Sequence, residues 1–235
     1  MKNLKQLIVI LSFVCTLHIF GAQAEAARYF IFGIDETGSY DLRSRSMAIL
    51  EKFILEVMQP GDAMLGRQIT GKSYLDTPEN QLLPQVLQIP EMQPTKNNTF
   101  DLRAKRQAEA ERNQQSIVRL QAIKYLRTLK PVNARKTDIY GFFAAAADRL
   151  STAVNYTEKY IIVASDMVDN QNLISAIDLH GAHVVIIAFQ KDFDPKKTMN
   201  ARKYWQKTIM AMKAGSIIFL NPEQDITTAV SHTGS

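Results

Sequence analysis

Three stretches of this chain are apolar at nearly every position: "RYFIFGI" (28–34), "YIIVAS" (160–165) and "HVVIIAF" (183–189). Side chains on a strand point alternately to the two faces of its sheet, so a strand that is apolar on both parities must be covered on both sides. A fourth run, "SIIFL" (216–220), has the same character. Helical patterns separate the runs. "SMAILEKFILEVM" (46–58) places Ile49, Leu50, Phe53, Ile54 and Val57 at helical spacing, and Pro60-Gly61 stops it. "DIYGFFAAAADRL" (138–150), "NLISAIDLHG" (172–181, closed by Gly181) and "ARKYWQKTIMAMKAG" (201–215) also read as helices. This alternation predicts an α/β fold, a doubly wound, mostly parallel central sheet with helices on both faces.

Other segments are less regular. "DAMLGRQITGKSYL" (62–75) reads as a strand bent near Gly71, and "QVLQI" (85–89) as a short edge strand among the breakers of 76–100. Residues 101–130 read as one long helix. Its first half is almost wholly polar, and its second half has an apolar face of Ile117, Val118, Leu120, Ala122, Tyr125 and Leu129. It holds eight Lys or Arg against three Asp or Glu, which suits a solvated face or an anionic docking surface. Residues 222–235 carry no clear signal, so the domain is expected to span 27–221 with a C-terminal tail.

The first residues stand apart. Lys2 and Lys5 precede "LIVILSFVCTLHIFGA", and Ala22–Ala24 or Ala24–Ala26 supplies small residues for cleavage. This tripartite pattern predicts a cleavable signal peptide over 1–24 and export to the periplasm or the outside medium. An uncleaved anchor is the alternative, although the run is shorter than the ~20 residues of a membrane-spanning helix. Cys15, the only cysteine, lies inside this segment, so cysteine catalysis and Cys-ligated zinc are excluded for the mature chain. Cleavage after Ala24 leaves 26 basic against 23 acidic residues, too mild a balance to imply a nucleic-acid partner.

Parallel α/β sheets bind ligands beyond the carboxyl ends of their strands. Two acids are expected there. Asp35 ends the first strand in "YFIFGIDETGSYD", and Asp166 ends the strand of "YIIVASDMVDN". Neighbouring carboxylates repel unless a positive charge lies between them. Thr37 and Ser39 add neutral oxygens from the same loop, and Thr137 precedes the Ala-rich helix. A set made only of oxygens favours Mg²⁺, with Mn²⁺ or Ca²⁺ as alternatives. Each residue also has a purely local role open to it. Thr137 suits the N-cap of 138–150, Asp35 and Ser39 can bond their own turn, and Asp169 and Asn170 suit the N-cap of the next helix. His180, His183 and His232 have no ligand-like partners in the sequence, Tyr204 and Trp205 read as core, and Asn97 and Asn155 begin sequons frequent by chance.

"DETGS", a lone Thr about a hundred residues later, and "ASDMVDN" together resemble the von Willebrand factor type A domain. That family carries a metal-ion-dependent adhesion site written Asp-x-Ser-x-Ser, then Thr, then Asp. The resemblance implies that Asp35, Thr37, Ser39, Thr137 and Asp166 hold the metal, and that an acidic side chain of a protein partner completes its coordination. Thr37 adds a methyl group to the pattern, Met167 stands where many members have Gly, and 76–130 looks like an insertion containing the long helix. Two other functions compete. One is a Mg²⁺-dependent phosphatase or phosphotransferase with Asp35 as nucleophile and Lys136 neutralising phosphate. It lacks a second acid two positions on, where Thr37 stands. The other is a structural subunit of an envelope or secretion assembly. No His, Lys or Cys lies within the motifs to activate a hydroxyl, so a binding module rather than an enzyme is expected.

Overall fold

The computed structural model describes residues 27–38, 40–75, 83, 85–92, 102–128, 134, 136–169, 176–189 and 194–231. The expected 1–24 signal peptide lies outside them. Among the described residues six strands form one sheet: β1 (Arg28–Asp35), β2 (Ala63–Ile69), β3 (Leu87–Gln88), β4 (Glu158–Ala164), β5 (His183–Ile187) and β6 (Ser216–Phe219). They run in the order β3-β2-β1-β4-β5-β6. Among the described residues only the β2–β3 pairing is antiparallel, and β3 is the short edge strand expected over 85–89. The helices among the described residues are α1 (Arg43–Glu56), α2 (Leu102–Thr128), α3 (Ile139–Thr152), α4 (Pro195–Ala211) and α5 (Ile226–Ser231).

Strand parity divides the core. Phe30, Phe32 and Ile34 of β1 pack under α1, α2 and α5, beside Leu50, Phe53, Ile123, Leu126 and Val230. Tyr29 and Ile31 face the other way, into the layer built by Phe142 and Phe143 of α3 and Trp205 and Ile209 of α4. A Cβ on Gly33 would lie 2.4 Å from Phe142 Cζ, so the absent side chain lets α3 sit directly on β1. Because β1 is followed at once by α1 on one side and paired with β4 on the other, the sheet reverses its winding at the β1–β4 boundary. That boundary places the ends of the first strand and the Asp166 strand side by side, as the fold class predicts.

Several boundaries differ from the sequence reading. Residues 176–181, the described part of the helix expected over 172–181, are not helical. Leu179 N–H donates to the Met212 carbonyl and Gly181 N–H to the Lys213 carbonyl, which ties this segment to the end of α4 instead. α4 begins at Pro195, six residues earlier than the expected 201, because Asp194 caps it by accepting from Lys196 N–H and Pro195 occupies the first turn. The strand expected over 62–75 ends at Ile69, after which the buried Arg67 holds the turn by donating to the carbonyls of Ser73, Tyr74 and Leu75. Residues 222–235, read as a tail, contain α5, whose Ile226, Ala229 and Val230 enter the core. Trp205 is core as expected, at 2% exposure, whereas Tyr204 is 55% exposed.

Candidate metal centre

Asp35 is the last residue of β1, and parity points it to the α3 side of the sheet. Its carboxylate is buried and fully engaged. Oδ1 accepts from Thr37 N (3.0 Å) and Thr37 Oγ1 (2.6 Å), and Oδ2 accepts from Ser165 Oγ (2.6 Å). Thr137 Oγ1 donates to Thr37 Oγ1 at 3.0 Å, so two hydroxyls bond the acid directly and a third joins the network through Thr37. A parallel bridge between Thr37 and Ala134 brings the segment before α3 to this loop. The hydroxyl hydrogens all run inward toward Asp35, in the sense Thr137 to Thr37 to Asp35 and Ser165 to Asp35.

Electrostatics tie Asp166 to the group. Burial raises the Asp35 pKa above the ordinary carboxylate value, the hydrogen bonds from Ser165 and Thr37 oppose that rise, and the charge of Asp166 adds to it. Tyr40, whose hydroxyl pairs with Ser46, feels the same two carboxylates, although burial is the main reason its pKa is raised. Asp166 is 8% exposed, against 1% for Asp35, so it lies nearer the solvent at this rim. Its Oδ1 accepts from Val168 N–H (3.0 Å).

Asp35, Thr37 and Thr137 thus share one hydrogen-bond network, Asp166 lies within electrostatic reach of Asp35, and Ser39 falls outside the described residues. No group of three or more His, Cys, Asp and Glu side chains suited to a metal occurs among the described residues. The donor set therefore rests on two carboxylates completed by hydroxyls. That fits a hard cation such as Mg²⁺, which takes one or two carboxylates and keeps several waters.

Sequence reasoning missed Ser165. The β1–β4 register pairs Ile34 with Ala164, so the next residues along, Asp35 and Ser165, meet beyond the ladder. The signal was the hydroxyl immediately before Asp166. Thr137 does not cap α3; Asp138 does, accepting from Gly141 N–H at 2.7 Å, which leaves the Thr137 hydroxyl to the site. Asp169 Oδ2 accepts from Ile139 N–H (2.9 Å) and Tyr140 N–H (3.1 Å), closing the loop after β4 onto the start of α3, and residues 170–175, where its expected helix would begin, lie outside the described residues. Asn170 lies outside the described residues.

Two further features shape the rim. Glu36 points to the opposite face from Asp35, where Arg43 Nε donates to Oε2 at 2.7 Å. Burial raises its pKa, and Arg43 opposes the rise. Met167 adopts φ +59°, a left-handed conformation that costs a side chain about 1–2 kcal/mol. Its N–H donates to Ser165 Oγ (2.9 Å), and its carbonyl accepts from Trp205 Nε1 (2.7 Å), so α4 clamps the strained turn in place.

No family model matches the sequence, and no curated protein matches it. Solved structures do match. The pilus adhesin SpaC from Lactobacillus rhamnosus GG in its open conformation aligns at TM-score 0.51 and 10% identity over 90% of this chain. A second crystal form of SpaC aligns at TM-score 0.52 and 9% identity over 90% of this chain. This chain spans 30% of the length of SpaC in both cases. An aerotolerance-related membrane protein from Bacteroides fragilis NCTC 9343, carrying multiple mutations to serines, aligns at TM-score 0.49 and 10% identity, covering 88% of this chain and 97% of that one. At these identities the likeness concerns the fold, which is α/β with a six-stranded, mostly parallel sheet between helices and is of the von Willebrand factor type A kind.

Proposed function

We propose that this chain is an exported binding module, not an enzyme, which engages a protein partner through a divalent cation held at the carboxyl edge of its sheet. The observation that carries this reading is the convergence of Asp35, Thr37 and Thr137, with Asp166 close by, from segments 130 residues apart. Asp35, Thr37, Ser39, Thr137 and Asp166 would hold the ion, directly or through water. A bound Mg²⁺, Mn²⁺ or Ca²⁺ supplies a positive centre to which an acidic side chain of the partner can bind. The protein's own part is electrostatic. Asp35 is buried and accepts from the hydroxyls, and Asp166, 8% exposed, would add the second negative charge. Both Asp35 oxygens are occupied by hydrogen bonds, which suits a ligand anchor better than an attacking nucleophile. Glu36 is turned to the far face with Arg43 and supplies no acid for proton transfer at this rim.

The test is calorimetric titration of the protein with MnCl₂, followed by partner capture from an envelope extract with and without EDTA. We expect Mn²⁺ uptake that Asp166→Ala reduces by at least about tenfold, the loss of one charged ligand from an ion site. Capture should disappear in EDTA. An absence of uptake, or capture indifferent to both EDTA and Asp166→Ala, would refute the reading. Phosphatase turnover abolished by Asp35→Asn would replace it with the phosphoryl-transfer alternative.

A further inference from the structure

The turn that carries Asp166 is held by a side chain outside the site, the only tryptophan of the chain. Met167 is left-handed at φ +59°, and its side chain is buried, so the turn joins backbone strain to a fixed anchor. Such a residue persists only where its surroundings over-determine it. Here its N–H and its carbonyl are both engaged. The N–H donates to Ser165 Oγ (2.9 Å), and the Ser165 hydroxyl donates in turn to Asp35 Oδ2 (2.6 Å). The carbonyl accepts from Trp205 Nε1 (2.7 Å). One residue further on, Val168 N–H turns back to Asp166 Oδ1 (3.0 Å). Met167 is therefore the joint through which both acids of the rim are tied to α4.

Trp205 is a rigid donor. Its ring packs against Tyr140 and Phe143 of α3, with centroids 5.3 and 6.5 Å away. Ala201 and Ile209, one turn to either side on α4, are buried with it. A buried indole N–H needs an acceptor, and this one takes a backbone carbonyl of the site's own turn. Two forces push the turn open. The left-handed backbone favours a return to negative φ, which would carry Val168 N–H away from the Asp166 carboxylate. The like charges of Asp35 and Asp166 also repel. Downstream, Asp169 fastens the loop to the start of α3, so opening is confined to 166–168. One buried hydrogen bond is of the same order as the strain at Met167, so the Trp205 bond decides which way the turn settles.

We propose that Trp205 is a positioning residue for the cation site: its indole N–H, by pinning the Met167 carbonyl, holds Asp166 beside Asp35 in advance of an ion. The inference rests on the cation reading above. Because the chain has one tryptophan, biosynthetic replacement of tryptophan by benzothienylalanine changes Trp205 alone. The isostere keeps the shape of the ring and deletes its N–H. Mn²⁺ affinity, measured by calorimetry with MnCl₂, should fall about five- to tenfold, as for loss of a partner that orients a metal ligand. In the metal-free protein, amide exchange at Val168 should quicken by at least about threefold. Exchange within β1 and β4, and the circular dichroism, should stay unchanged, whereas a purely packing role for Trp205 would leave Val168 unmoved as well. Trp205→Phe, which also lacks the donor, should repeat both effects. An isostere that binds Mn²⁺ within about twofold of the parent, or that exchanges Val168 at the parent's rate, would overturn the proposal. A parent that takes up no Mn²⁺ would end the cation reading and this inference with it; equal uptake by parent and isostere would end this inference alone.

Discussion

His183 shows how a single side chain can make this fold sensitive to acid. Its ring is half-buried at the start of β5, with Nδ1 2.8 Å from Ser216 Oγ and Tyr160 packed against it. Burial lowers its pKa below the usual 6.5, and the charge of Glu158 only partly offsets this. The unfolded chain therefore takes up a proton before the folded one does. Stability should be unaffected by this group above about pH 6.5 and fall as the pH drops through the lower folded value. Urea midpoints at about pH 7.5 and about pH 5 should differ less in His183→Gln than in the parent; equal differences would contradict the assignment. At this scale the candidate site was legible wherever residue type alone announced chemistry, as for Asp35, Thr37 and Asp166. It was illegible where the role depends on register or on a turn reaching backwards. Ser165 acquires its partner only because β4 lies beside β1, and Asp169 turns back to α3 because the chain after β4 is left-handed at Met167.

Strands and helices meet most tightly where Gly33 lies under Phe142. Gly33→Ala would force the ring or the helix to move, and overpacking of this kind costs about 1–3 kcal/mol. Thermal unfolding should shift down by about 2–4 °C per kcal/mol for a domain of this size. An unchanged midpoint would mean that α3 is free to lift off the sheet. The same geometry explains why the strands could be read from sequence and parts of the connections could not. A strand covered by helices on both faces must be apolar at every position, which is an unambiguous pattern. "NLISAIDL" satisfies helical spacing equally well when Leu179 is simply buried in an irregular segment hydrogen-bonded to Met212. Asp194-Pro195 is a legible start signal for α4, but the apolar periodicity of that helix begins only after its polar first turn.

For the molecule as a whole, the C-terminal helix closes one layer of the core. Ile226 and Val230 are buried against α1, and the ion pairs Arg45–Glu223 and Lys52–Asp225 hold the same segment at the surface. A chain ending at Asn221 should lose about 3–6 kcal/mol from the two large side chains, since exposed ion pairs add little. Denaturation by urea would register that loss, and an unaltered midpoint would show α5 to be dispensable. Every parallel strand of the sheet ends at the rim that carries Asp35 and Asp166, whereas β1 and β2 begin at the opposite rim, where Arg28 and Asp62 form an ion pair. An eight-residue β1 keeps those two rims roughly 25 Å apart. An ion held at the carboxyl rim would therefore lie a full strand length from the Arg28–Asp62 pair, too far for that pair to feel its charge in physiological salt, where screening sets in at about 8 Å.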